Sequence, residues 1–64
     1  MQELPRAGDR VTIPWGFGEV VGEVVRAYAF GAHRQVTIDV LLEGMDEPLR
    51  VTFPLEVVEQ AQAA

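Results

Sequence analysis

Few residues in this chain can do covalent chemistry. It contains no cysteine and no serine, so it has neither a thiol nor a serine hydroxyl to act as a nucleophile. The three threonines, Thr12, Thr37 and Thr52, fall at positions predicted to point outward from strands. His33 is the sole histidine and lies in a predicted turn, where a lone imidazole is usually solvated. These residue types predict a protein that is not an enzyme.

The sequence also gives little support for a metal site. Without cysteine, a zinc centre would need His33 together with several carboxylates. Glu43, Asp46 and Glu47 share one predicted hairpin connection, and their oxygens could attract a hard cation such as calcium. They lack the dense ligand spacing of a calcium-binding loop, so we interpret them as solubilising charges. We expect no metal and no cofactor.

The charge of the chain restricts its partners. Ten acidic residues against five arginines, with no lysine, give a net charge of −5. Nucleic-acid binding depends on neutralising phosphates, so nucleic acid is a poor fit as a partner. Two versions of that alternative remain open. The chain could bind nucleic acid through the side that carries Arg26, Arg34 and Arg50, or it could act as an acidic mimic that occupies a basic groove.

Strands are the elements that must position these side chains. Alternation of apolar and polar residues predicts four of them, over residues 10–15, 19–28, 35–42 and 49–53. Pro54 stops the fourth strand, and residues 55–59 are predicted to form a single helical turn that leads into a short closing strand. Four to five short strands with regularly spaced turn signals are typical of a small barrel.

Two valine pairs in the second strand, at 20–21 and 24–25, put apolar side chains on both of its faces. The side chains on one face would be buried in the core. The apolar side chains on the other face would need a second element or a partner to cover them. If Gly22 faces the core, the outward apolar side chains are Val21, Val25 and, on the neighbouring strand, Leu41. Contiguous exposed apolar patches usually mark protein interfaces. We therefore predict that these three residues bind a protein partner or a second copy of the chain.

Two structural alternatives bear on that prediction. A bulge near Gly22 or Arg26 would invert part of the face assignment. A strongly curled second strand would instead leave both of its sides half-buried within one barrel.

The small size of the chain favours association, because 64 residues are near the lower limit for a domain that folds on its own core.

Short motifs near both ends carry a resemblance to a known fold family. Gly-Asp-Arg-Val at residues 8–11, followed by Gly-Glu-Val-Val at 22–25, resembles the opening of Src-homology-3-like barrels of the Tudor and KOW type. Phe-Pro-Leu-Glu-Val-Val at 53–58 is similar to their ending. The resemblance implies an all-β, five-stranded Src-homology-3-like barrel over residues 8–59 with a single helical turn before the last strand. Residues 1–7 would be a lead-in and residues 60–64 a frayed tail.

In the barrels that the chain resembles, the loops around the first two strands lie close together and form a ligand-facing rim. Four aromatic residues fall at the corresponding positions: Trp15, Phe17, Tyr28 and Phe30. Clustered rings could stack on a proline-rich peptide or cage a methylated cation. The alternative is that Trp15 and one or two partners close the end of the barrel as core.

Taken together, these patterns predict a non-catalytic protein-interaction module. It would self-associate or bind a protein partner through the apolar sheet face and the aromatic rim. No apolar run approaches the roughly 20 residues of a membrane-spanning helix, and the N-terminus lacks the basic start and apolar stretch of a secretory signal. The expected location is therefore the cytoplasm, without membrane contact.

Overall fold

The computed structural model of the protein describes residues 4–63, the last of them by its backbone alone. Four strands are followed by one helix: β1 (Arg10–Trp15), β2 (Gly18–Phe30), β3 (His33–Val40), β4 (Leu49–Pro54) and α1 (Leu55–Ala63). The strands lie in the order β1-β2-β3-β4, and each pairs antiparallel with its neighbour. The protein is thus mostly β, with an antiparallel sheet, as the alternation predicts.

The sheet stays open, so the predicted five-stranded Src-homology-3-like barrel is wrong. β1 and β4 form opposite edges and do not pair with each other, and residues 4–63 contain no fifth strand. In a barrel every strand has two neighbours, because closure removes both edges. Here the chain covers one face of the sheet with a helix instead of closing the sheet on itself.

The single helical turn predicted before a closing strand is also wrong. Residues 55–63 form one nine-residue helix, which includes residues expected to fray. Leu55 and Val58 are three positions apart and both are buried, so they lie on one side of the helix. The remainder of the segment is rich in Glu, Gln and Ala, which are good helix formers, and contains no Gly or Pro. With nine residues, α1 falls short of what a membrane crossing requires, and the described residues form no other helix.

The core lies between the sheet and α1. We call the sheet face that α1 covers the inner face. Leu55 and Val58 of the helix are almost fully buried against it. The buried apolar side chains of the sheet are those of Val11, Ile13, Val24, Val36, Ile38 and Val40. Eight buried residues are a small core, in keeping with the short chain.

Two tight hairpins set the register of the first three strands. Gly16 has a φ of +58° and Gly31 a φ of +60°, and each is the first residue of a two-residue turn. The residues that follow them, Phe17 and Ala32, do not have positive φ. Positive φ at the first position alone is the signature of a type II′ turn, whose twist matches that of the flanking strands.

A bulge in β2 changes which of its residues face the core. Pairing with β3 shifts register between Val24 and Arg26, so Val25 is an extra residue without a partner. Before the bulge, Gly22 and Val24 face inward and are buried. After it, Ala27 takes the inward position opposite Val36, which is fully buried. The strand therefore keeps an apolar inner face along its whole length.

Candidate interaction face

The sheet face opposite α1, which we call the outer face, has no second layer over it in the described part of the chain. Its side chains fall into rows that run across the strands, because residues paired between antiparallel strands point to the same side. One row crosses all four strands and consists of charged residues alone. We call it the charged row: Arg10, Glu23, Asp39 and Arg50.

Asp39 and Arg50 form a two-pronged ion pair within this row. The Nε of Arg50 donates to Oδ1 of Asp39 at 2.8 Å, and Nη2 donates to Oδ2 at 3.1 Å. The hydrogen bond from Arg50, reinforced by its positive charge, lowers the pKa of Asp39 below its ordinary value, although partial desolvation of the carboxylate opposes the shift. Asp39 therefore stays ionised, with its charge balanced by a neighbour on the same face.

The other half of the charged row is arranged differently. Arg10 and Glu23 are direct cross-strand partners in β1 and β2, and both are exposed. Within the part of the chain that the structure describes, the Asp39–Arg50 contact is the sole ion pair, so Arg10 and Glu23 form none. Two opposite charges thus lie side by side on the outer face without neutralising each other through a direct contact.

Val21 and Leu41 form the apolar part of the outer face. Val21 is 60% exposed and Leu41 is 64% exposed. With Pro48 from the β3–β4 connection, they line an open groove of about 520 Å³. The rest of its lining is Gly22 and three members of the charged row, Arg10, Glu23 and Asp39. The groove therefore combines apolar side chains with charges of both signs.

Val25, the third residue predicted for this patch, lies apart from the other two. It is the extra residue of the β2 bulge, is half-buried, and does not line the groove. Along β2 it is on the far side of Glu23 from Val21. The apolar patch of the outer face therefore consists of Val21 and Leu41 without Val25.

The four aromatic residues form no common rim. Phe17 is at the tip of the β1–β2 hairpin and Phe30 is at the far end of β2, and both rings are largely exposed. At about 3.3 Å per residue, the thirteen residues of β2 separate these ends by roughly 40 Å. Trp15 is half-buried and packs against the core on the inner face. The common rim was predicted from the resemblance to closed barrels. The sheet is open, and successive hairpins of an open antiparallel sheet lie at opposite ends, so the four rings are not brought together.

Tyr28 is engaged by its own chain. Its hydroxyl donates to Oε1 of Gln35 at 2.9 Å, and the guanidinium carbon of Arg26 lies 5.2 Å from the centre of its ring. One row further, the hydroxyls of Thr37 and Thr52 are 3.2 Å apart, and Thr37 is buried. This part of the outer face is a network of internal polar contacts.

The residues considered for chemistry are scattered. His33 is exposed beside the β2–β3 turn, whereas Thr12 is on β1 at the edge of the sheet. Among the described residues, no three His, Asp or Glu side chains are grouped to hold a metal ion. The arginines of the nucleic-acid alternative are also separated: Arg26 contacts Tyr28, Arg50 contacts Asp39, and Arg34 is near the β2–β3 turn.

Sequence reasoning missed the charged row and the groove. Each member of the row occupies an outward position in its own strand, which the alternation shows. Their alignment depends on the register of three separate strand pairings.

Comparisons of the chain with known protein families, with curated proteins and with solved structures find no match. The case for a function therefore depends on the outer face itself.

Proposed function

We propose that the protein is a non-catalytic interaction module that binds another protein chain through the outer face of its sheet. The observation that carries the proposal is the combination of an uncovered sheet face with two exposed apolar side chains, Val21 and Leu41, beside a groove. Exposed apolar groups that share one surface with a polar surround are typical of protein interfaces.

The energetics of the apolar pair favour a partner. Fully burying a valine or leucine side chain is worth about 1.5–3 kcal/mol. Val21 and Leu41 have not gained most of this free energy of burial, because each side chain is more than half exposed. A protein that fills the groove would bury both side chains at once. The charges around them would orient the partner, because complementary charges at an interface contribute specificity and speed of association.

The same face gives less support to phosphate binding. Arg26 and Arg50 are held by Tyr28 and Asp39 of the same chain, and the net charge of −5 repels a polyanion. A protein partner needs neither a basic surface nor a catalytic group. The outer face thus supports protein binding better than nucleic-acid binding.

Site-specific photocrosslinking in the cells that make the protein tests the proposal. A photoreactive amino acid in place of Val21 or Leu41 should yield a crosslinked adduct, because both side chains would contact the partner. The matched control is the same amino acid in place of Glu56, which is exposed on α1. Equal yields at all three positions, or no adduct at 21 and 41, would show that the outer face is not a binding surface.

A further inference from the structure

We propose that the partner of the outer face is a second copy of this chain, so that the protein is a homodimer in which the β1–β2 part of each outer face packs on that of the other copy. This inference rests on the proposed function and names the partner of the same face. Two observations carry it: the balance of charge on the outer face, and the side-by-side arrangement of Arg10 and Glu23.

Charge is distributed unevenly over the protein. The outer face carries three arginines and three carboxylates, so its net charge is zero: Arg10, Arg26, Arg50, Glu19, Glu23 and Asp39. The whole chain has a net charge of −5, which therefore belongs entirely to its other surfaces and its termini. Two copies that approach through those surfaces repel each other. The outer face allows two copies to meet without this repulsion.

Arg10 and Glu23 are self-complementary under two-fold symmetry. A two-fold interface is reciprocal: when one residue contacts a second across it, the second contacts the first at the symmetry-related position. An axis that passes between β1 and β2 therefore places Arg10 of each copy opposite Glu23 of the other. Neither residue forms an ion pair within the described residues, so both are free to do so. Both also line the groove beside Val21, so the two ion pairs would lie next to the Val21 side chains of the two copies.

The same axis defines how much of the two sheets meets. It runs parallel to the strands, so β1 of each copy lies over β2 of the other, and β3 and β4 of each copy extend beyond the contact. The contact therefore covers Val21 of both copies beside the two ion pairs.

The test is a pair of charge reversals, measured by analytical ultracentrifugation. Wild-type protein should sediment with twice the mass of the chain. In Arg10→Glu, positions 10 and 23 both carry a carboxylate. In Glu23→Arg, both positions carry a guanidinium group. Each variant alone should self-associate about tenfold more weakly or worse, because like charges then face each other across the axis. An equimolar mixture should recover the dimer, since each acidic copy then meets a basic one.

Two control variants match the changes in net charge. Arg34→Glu reverses an exposed arginine near the β2–β3 turn, and Glu56→Arg reverses an exposed carboxylate on the opposite side of the protein. Both should dimerise like the wild type. Circular dichroism of each variant establishes that it is folded, and recovery in the mixture is a second demonstration of folding.

Several outcomes would overturn the inference. A wild-type protein that stays monomeric at millimolar concentration excludes the dimer. Variants at 10 and 23 that dimerise normally, or a mixture that fails to recover, exclude the reciprocal contact. If the purified protein is monomeric while position 21 crosslinks to a different protein in cells, the second-copy inference fails but the proposed function stands. If neither association nor a crosslink occurs, both fail.

Discussion

The side chain of Gln62, near the end of α1, pairs with the backbone of Thr12 on the free edge of β1. Oε1 of Gln62 accepts a hydrogen bond from the Thr12 N–H at 2.9 Å, and its Nε2 donates to the Thr12 carbonyl. The amide group of one side chain thus replaces the neighbouring strand that the edge lacks. Pro14, two residues after Thr12 in β1, has no backbone N–H to donate to another strand. Together they protect this edge from pairing with other chains.

Replacing Gln62 with alanine should destabilise the protein and open the edge of β1. Both hydrogen bonds to Thr12 are lost, and a net cost of about 1 kcal/mol in the free energy of unfolding is expected from mutational series on such bonds. Urea denaturation measures the cost, and hydrogen exchange of the Thr12 amide should accelerate. Gln60→Ala is the control, because Gln60 is exposed on the same helix. Equal effects of the two substitutions would show that the contact with Thr12 contributes nothing.

Gly22→Ala should destabilise the protein through overpacking. A Cβ at this position would overlap Cγ2 of Ile38, which is fully buried, and would lie 3.1 Å from the backbone oxygen of Asp39. Forcing extra atoms into a packed core typically costs about 1–3 kcal/mol. Thermal denaturation should therefore give a clearly lower melting temperature for this variant than for the wild type.

The control for Gly22→Ala is Gly18→Ala. Gly18 is also in β2, has no heavy atom within 4 Å of its would-be Cβ, and does not have positive φ. An alanine there should leave stability unchanged or raise it slightly, because it reduces the freedom of the unfolded chain. If the two alanine variants melt together, the close approach of β3 to Gly22 is not a real constraint.

The ion pair between Asp39 and Arg50 should make stability depend on pH in a defined direction. The pKa of Asp39 is lowered in the folded state, chiefly by the hydrogen bond from Arg50. A lowered folded pKa means that the pair stabilises the protein above the ordinary pKa of aspartate. That contribution is lost as the pH falls through the lowered value. Asp39→Asn should thus lower the melting temperature at neutral pH, and the difference should vanish well below about pH 4.

A matched variant separates this effect from the general loss of a negative charge. Asp46→Asn removes one carboxylate from the exposed β3–β4 connection, where no ion pair is formed among the described residues. Its melting curve should follow that of the wild type from neutral to acidic pH. A difference between Asp39→Asn and the wild type that persists unchanged in acid would contradict the assigned role of Arg50.

The positions of the four strands could be predicted from the sequence, but the way the sheet ends could not. Alternation is local, so it identifies β1 to β4 to within a few residues. Closure into a barrel depends on twist and bending summed over all strands, which no short motif encodes. The similarity of residues 53–58 to the ending of Src-homology-3-like barrels predicted a short last strand. The spacing of Leu55 and Val58, together with the helix-forming residues after them, favoured α1 instead.

The candidate site could be predicted in part for a similar reason. The outward direction of Val21 follows from parity along β2, and the structure leaves it exposed, as it does Leu41. Val25 departs from the pattern because the bulge adds one residue at that point. The pairing of Arg10 with Glu23 depends on the register of the β1–β2 hairpin, which its two-residue turn sets and the alternation alone does not. Partner binding by these residues remains a prediction.

Trp15 and Phe17 should respond very differently to truncation, although only one residue separates them. Trp15 is half-buried and packs against the core on the inner face, so Trp15→Ala should cost about 3 kcal/mol or more. Phe17 projects fully into solvent from its turn, so Phe17→Ala should change the free energy of unfolding by less than about 0.5 kcal/mol. Urea denaturation of both variants, followed by circular dichroism, measures the contrast. Phe30→Ala, at the other exposed ring, should match Phe17→Ala. A large loss of stability in Phe17→Ala would mean that this ring folds back onto the core and that the β1–β2 hairpin is packed differently.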